Sequence, residues 1–171
     1  MKTPAEKQES GGENTNFIKY RQKIFCERNG GIVMFKNVLV PVDGSETSER
    51  AIEKAVEIAQ ACGAKLSFLY VANINQLAIN ACLSDAILSA VTKAGDVILE
   101  RAMEKVPGGI EKEAFSETGS PAVVILDYLE DHPTDLVVMG SRGLGVVKGV
   151  LLGSVSQYVV EQAKCPVLVV K

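Results

Sequence analysis

From Lys36 to the end of the chain, apolar runs of strand length alternate with stretches in which apolar residues recur every three or four positions. Val38 to Val42 is the first run, apolar in succession rather than alternately, as in a strand covered on both faces. Ser45 to Ser48 then offer N-cap side chains, and Ala51, Ile52, Ala55, Val56, Ile58 and Ala59 mark the inner face of a helix that stops near Gly63. Lys65 to Val71 reads as the second strand. A loop and a long helix follow, roughly 83–105, ended by Pro107-Gly108-Gly109. Ile110 to Phe115 is a weaker third strand. Ser120 beside Pro121 opens a helix with Val124, Ile125, Tyr128 and Leu129 on one side. Leu136 to Met139 is the fourth strand, Val155 to Lys164 the last helix and Pro166 to Val170 the last strand.

Strands and helices therefore alternate, and crossovers between parallel strands are almost always right-handed. The pattern predicts an α/β fold: a five-stranded parallel sheet, doubly wound, in the order 3-2-1-4-5, with helices on both faces. Ligands bind such sheets beyond the carboxyl ends of the strands, where the winding reverses. Two chemically unusual loops stand at such ends: Pro41-Val42-Asp43-Gly44-Ser45, and the segment that begins at Gly140.

That segment has Gly140 and Gly143, then nine residues, then Gly153-Ser154-Val155-Ser156 entering the last helix. Glycines let backbone amides approach a ligand with no Cβ in the way and adopt positive φ at little cost. Amides that converge on one hollow make a nest for anions, and a helix start adds free N–H groups and the positive end of its dipole. Ser154 and Ser156 could cap that helix or donate hydroxyls to phosphate. No acidic residue lies between Leu136 and Val160, whereas Arg142 and Lys148 do. The competing account is a flexible connection, with Leu144, Val146, Val147, Val150, Leu151 and Leu152 packed beneath it. Other phosphate motifs fail: Gly140 to Gly145 has P-loop spacing, but Val146 stands where a lysine is required, and no GxGxxG occurs.

Composition narrows the classes. The 171 residues suit one domain of this kind, and a net charge of −3 leaves no general footprint for nucleic acid or an anionic membrane. No apolar run reaches the roughly 20 residues of a membrane span, so the expected compartment is the cytoplasm. Cys26, Cys62, Cys82 and Cys165 are scattered without a CxxC pair, as small buried or half-buried hydrophobes would be.

The spacing Gly140, Gly143, Gly153, Ser154 resembles the motif of the ATP-binding universal stress proteins. Asn37-Val-Leu-Val-Pro-Val-Asp-Gly-Ser, Val138-Met-Gly-Ser-Arg-Gly and Pro166-Val-Leu-Val-Val resemble the same family's first, fourth and closing strands. The resemblance covers about 35–171. It implies that Gly140, Arg142 and Gly143 line ribose and phosphates, and that Gly153, Ser154, Val155 and Ser156 hold the phosphate chain. It also implies that Pro41, Val42 and Asp43 border adenine and ribose, with Val71 and Met139 near the base. Asp43 is open between a ribose contact, a water-mediated Mg²⁺ contact and a helix-start residue facing solvent. Mg²⁺ would be held mainly by the phosphates of ATP. The family further implies a homodimer pairing Val167 to Val170 across a two-fold axis, although the leading segment could cover that edge instead.

No catalytic constellation accompanies these residues. His132, the sole histidine, precedes Pro133 at a helix end and reads as a cap or surface residue. A nucleotide-binding regulatory or stress-response protein is the leading expectation. A slow ATPase or phosphotransfer protein and an interaction module with a vestigial pocket are the alternatives.

Residues 1–33 differ from the rest: 1–16 is polar, and only Phe17 to Phe25 has apolar content, so this arm is expected to be disordered or loosely helical, ahead of a nucleotide-binding domain over 34–171. Met34 stands directly before the first strand, and the codons of Gly30-Gly31 can spell a purine-rich ribosome-binding sequence. The hypothesis is that translation starts at Met34. Intact mass of the protein from its native host is expected to lack the arm, and finding it attached would refute the idea.

Overall fold

A computed structural model describes residues 35–73, 85–145 and 151–171. The arm over 1–33, Met34, Cys26, Cys82, the expected helix start at 83 and positions 146–150, including Lys148, lie outside the described residues. Strands and helices alternate as β1 (Asn37–Val42), α1 (Glu46–Cys62), β2 (Lys65–Ala72), α2 (Asp85–Glu104), β3 (Lys112–Thr118), α3 (Pro121–Asp131), β4 (Leu136–Gly140), α4 (Ser154–Gln162) and β5 (Val167–Val170). Every ladder is parallel and the order is β3-β2-β1-β4-β5, the doubly wound sheet expected.

Because successive strand residues point to opposite faces, uninterrupted apolar runs feed two cores at once. Val38, Val40, Val42, Leu66, Phe68, Leu136 and Val138 pack with Ala51, Ile52 and Ala55 of α1 and Leu99 and Ala102 of α2. On the other face Leu39, Leu69, Val137 and Met139 pack with Ile125 and Tyr128 of α3 and Val159 of α4. β3 runs later than the apolar pattern of 110–115 suggests, through Ser116, Glu117 and Thr118. It is the sheet edge, held by its backbone ladder to β2 from Leu66↔Lys112 to Ala72↔Thr118, so its side chains face largely outward and carry little hydrophobic signal.

The helix ends follow local chemistry. Ser45 caps α1, its Oγ accepting from the Ser48 amide at 3.3 Å, and Glu46 and Glu49 sit in the first turn where the helix dipole favours them. Gly63 ends the helix in the left-handed conformation, its N–H donating to the Ala59 carbonyl at 2.8 Å. Ser120 occupies the N-cap position of α3 but makes no side-chain cap bond; Pro121 at the helix start needs one amide fewer to be satisfied.

Two features open a hollow at the carboxyl ends of β1 and β4. The ladder between them is recorded only at Val38↔Leu136 and Leu39↔Val137, whereas β1 stays paired with β2 as far as Val42↔Tyr70. The start of β4 is fastened instead, because the Asp135 carboxylate accepts from the amides of Lys36 and Asn37 at 2.8 and 2.9 Å. Beyond the ladder, the end of β4 closes on the first turn of α1. A Cβ placed on Gly140 would lie 2.6 Å from Thr47 Oγ1 and 2.9 Å from the Ser48 amide nitrogen, mostly against backbone that cannot swing aside.

Gly140→Ala is therefore expected to destabilise the fold by about 1–3 kcal/mol through overpacking, and Ser45→Ala by about 1 kcal/mol through loss of the cap. Urea unfolding of the two variants measures both. An unchanged midpoint for Gly140→Ala would mean that α1 backs away freely.

Candidate functional site

The hollow at this end of the sheet has a volume of about 510 Å³. All twelve residues singled out from the sequence line it: Pro41, Val42, Asp43, Val71, Met139, Gly140, Arg142, Gly143, Gly153, Ser154, Val155 and Ser156. Leu69, Tyr70, Asn73, Val91, Pro121, Ile125 and Ser48 join them, together with Leu144 and Gly145. Sequence reasoning had placed Pro121, Ile125 and Ser48 only as helix residues. It had no signal for Asn73 or Val91.

At one end lie backbone donors. Arg142 passes its carbonyl to α1, where Ser45 Oγ donates to it at 3.3 Å and Thr47 Oγ1 makes a second, shorter bond. A trans peptide points its C=O and N–H in opposite directions, so this contact turns the Gly143 N–H away from α1. Gly153 is the N-cap of α4 and no side chain caps the helix. The Gln157 amide bonds the Gly153 carbonyl at 2.9 Å as the first helical rung, and the amides of Ser154, Val155 and Ser156 have no acceptor among the described residues. The amides of Arg142 and Gly143 are equally unclaimed among them. These groups, with the Arg142 side chain and the positive end of the α4 dipole, make a place for an anion.

Several details differ from the simplest expectation. The Gly153 amide is spent on the Ser141 carbonyl at 2.7 Å, so it closes the loop and is not a free donor. Ser156 Oγ donates to the Gly140 carbonyl at 2.8 Å, so that hydroxyl fastens α4 to β4 and is not turned to a ligand. Among the described residues the glycines with positive φ are Gly44, Gly63, Gly109 and Gly119, none of them in this segment. Close approach is what requires glycine at Gly140, against backbone of Thr47 and Ser48; at Gly143 a Cβ would stand 2.5 Å from Asp43 Oδ2, a carboxylate tip that can turn aside. At Gly153 a Cβ meets only ordinary contacts, 3.4 Å to Arg142 Cα and 3.8 Å to the Gly143 nitrogen, so a side chain fits the fold but shades that amide. The account in which apolar residues pack beneath the loop fails for Leu144 and Leu151, which are 72% and 50% exposed.

Asp43 does not face solvent as a helix-start residue would. It is half-buried, its amide donates to Ser48 Oγ at 3.3 Å, and its Oδ1 accepts from the Ser45 amide at 3.0 Å. Oδ2 is left directed at Gly143. Tyr70 lies on the neighbouring strand opposite Val42, its ring packed against the Gly95 backbone of α2. Burial first, and the Asp43 charge second, push its phenol above the ordinary value, so it remains a protonated donor at neutral pH.

The other end is mostly apolar, built from Leu69, Val71, Pro121, Ile125 and Met139, with Tyr70 and Asn73 as its polar residues. Asn73 Oδ1 is shut away from solvent and has no hydrogen-bond partner among the described residues, a state that costs about 1–3 kcal/mol unless something supplies a donor. Ser141 Oγ is likewise buried and unpaired among them, but it lies behind the loop and is absent from the lining. No group of three or more His, Cys, Asp or Glu that could hold a metal occurs among the described residues. His132 stands apart, as the C-cap of α3, stacked on Tyr128 at 4.0 Å. Cys62 and Cys165 are free and half-buried, and burial raises the Cys165 thiol pKa.

Known proteins share this architecture. A curated relative, universal stress protein YxiE of Bacillus subtilis, is 36% identical over 148 residues, covering 81% of this chain and all of its own. Hypothetical protein MJ0577, the subject of a structure-based assignment of biochemical function, superposes with a TM-score of 0.74 at 28% identity, over 81% of this chain and 97% of its own. A universal stress protein solved in complex with cAMP superposes at TM-score 0.54 and 29% identity, over 81% and 98% of the two chains. An Arabidopsis thaliana family member with AMP bound gives 0.59 and 26%, over 80% and 91%. The sequence profile of the universal stress protein family matches residues 34–171. By this match and by its strand order, the chain belongs to the universal stress protein family.

Proposed function

We propose that the hollow holds an adenine nucleotide, ATP with Mg²⁺ carried on its phosphates, and that the chain is a cytoplasmic regulatory or stress-response protein that signals through nucleotide occupancy. The observation that carries this reading is the set of unclaimed amides at Ser154, Val155 and Ser156, facing a hollow whose opposite end is mostly apolar. A phosphate placed there meets donors that nothing else among the described residues uses, and each favourable charge interaction with the α4 dipole contributes roughly 0.3–1 kcal/mol. Relatives with AMP and cAMP bound support the reading, because adenosine is what those ligands and ATP have in common.

Within this reading Pro41, Val42, Val71 and Met139 supply apolar contact to base and ribose, and Arg142 and Gly143 follow the phosphates. Asp43 Oδ2 is free to accept from a ribose hydroxyl or a metal-bound water. With no cluster of carboxylates among the described residues, the divalent cation would be held by phosphate oxygens. The unpaired Oδ2 beside Gly143 also gives a specific reason to test slow ATP hydrolysis, in which Asp43 would orient the attacking water.

For assembly, we read the edge strand β5 as a homodimer contact. Val167, Leu168, Val169 and Val170 are each half-buried, and the ladder of β5 to β4 leaves its other edge unpaired among the described residues. A bare apolar edge invites a second strand.

Calorimetry with ATP and Mg²⁺ is expected to show one site per chain, and denatured protein purified without added nucleotide should release ATP or ADP; neither heat nor released nucleotide would end the proposal. Gly153→Val is expected to weaken ATP binding about tenfold or more, roughly 1.4 kcal/mol per factor of ten, beside a loss of about 1 kcal/mol in stability from placing valine at the N-cap of α4. Turnover that vanishes in Asp43→Ala with binding intact would establish the enzyme reading. Light scattering is expected to give the mass of two chains, and a monomer at micromolar concentration would remove the role given to β5.

A further inference from the structure

Leu144 is the most exposed large apolar side chain among the described residues, at 72%, and it belongs to the lining of the hollow. A single leucine in solvent is ordinary on a protein surface. Its setting is not. Leu144 stands between Gly143 and Gly145, and packing in the empty site demands neither glycine. A Cβ on Gly143 would meet only the carboxylate tip of Asp43, one on Gly145 would meet nothing within 4 Å, and neither residue has positive φ. Glycine at such positions costs conformational entropy, and what it supplies is backbone freedom, here on both sides of one leucine. Leu144 and Gly145 also lie outside the spacing of Gly140, Gly143, Gly153 and Ser154, so phosphate binding does not account for them.

The neighbours of Leu144 limit what it can cover. Gly143, next to it, faces Asp43 Oδ2, the oxygen offered above to a ribose hydroxyl. The amides suited to phosphate are at Ser154, Val155 and Ser156, and the apolar wall of Val71, Pro121, Ile125 and Met139 is at the β2 end. A ribose beside Asp43 presents C–H surface that an apolar side chain can shield from water, and pockets for small molecules bury most of a ligand's surface. Hinges that absorb such a movement are a few loop positions, often small residues. We propose that Leu144 is a latch that turns on Gly143 and Gly145 to close over the nucleoside and retain the bound nucleotide. The inference rests on the nucleotide reading above and adds to it the residue by which this chain holds its ligand in place.

Calorimetry with ATP, ADP and AMP tests the latch on the full chain and on Leu144→Ala, Leu144→Met and Gly145→Val. Leu144→Ala is expected to weaken all three ligands by one common factor, roughly tenfold, because the leucine covers the nucleoside they share. Leu144→Met keeps the apolar reach and should keep most of the affinity. Gly145→Val stiffens the hinge and is expected to weaken binding severalfold. Its nucleotide-free melting temperature should hold, since the added side chain enters open space. Hydrogen exchange supplies a readout that a static surface leucine would not move. Nucleotide should slow exchange at Leu144 and Gly145 in the unsubstituted chain, and the slowing at Gly145 should vanish in Leu144→Ala. If ATP binds Leu144→Ala with unchanged affinity, the latch is wrong and the nucleotide reading stands. A loss confined to ATP would put Leu144 on the phosphate chain and overturn the inference, as would a lowered nucleotide-free melting temperature in Leu144→Ala. If the unsubstituted protein binds no adenine nucleotide, both readings fall together.

Discussion

The geometry of the candidate site depends on one carbonyl. Ser45 and Thr47, in the first turn of α1, together hold the oxygen of Arg142, and this joins the loop after β4 to the helix after β1. The contact needs the end of β4 to come close to α1, which is possible only because Gly140 has no Cβ. Peptide planarity then fixes the direction of the next amide. The sequence segments at 43–48 and 140–143 are thus one structural unit, although nearly a hundred residues separate them.

Much of the fold was legible because its signals are local or periodic. The uninterrupted apolar runs of β1, β2 and β4 announce strands covered on both sides, and Ser45 and Gly63 bound α1 by capping chemistry. β3 was misplaced because an edge strand is held by backbone bonds, and Ser116, Glu117 and Thr118 give no apolar pattern to follow. The members of the site were legible as well, since a glycine spacing at a strand end and an acid-free stretch both show in the residues. The reasons for them were not. That Gly140 and Gly143 answer to Thr47 and Asp43, or that Ser156 bonds the Gly140 carbonyl, are tertiary contacts that no spacing encodes. Asn73 was missed for the same reason, because an unpaired buried oxygen is visible only once the surroundings are known.

The two ends of the hollow use different physics. At α4 the donors are backbone groups, fixed in direction by the helix. At β2 the surface is mostly apolar side chain, which suits a flat ring. Relatives in the family have been solved with AMP and with cAMP bound, ligands that share adenosine and a single phosphate and differ in whether that phosphate closes a ring.

Ser141 occupies a junction in this arrangement. Its carbonyl receives the Gly153 amide at 2.7 Å, and its own amide donates to the Val170 carbonyl, also at 2.7 Å. The head of the last helix and the tail of the last strand therefore hang from opposite sides of a single buried residue. Neither can be displaced alone without stretching one of those two short links, so a pull on the helix head is felt at the outer border of the sheet.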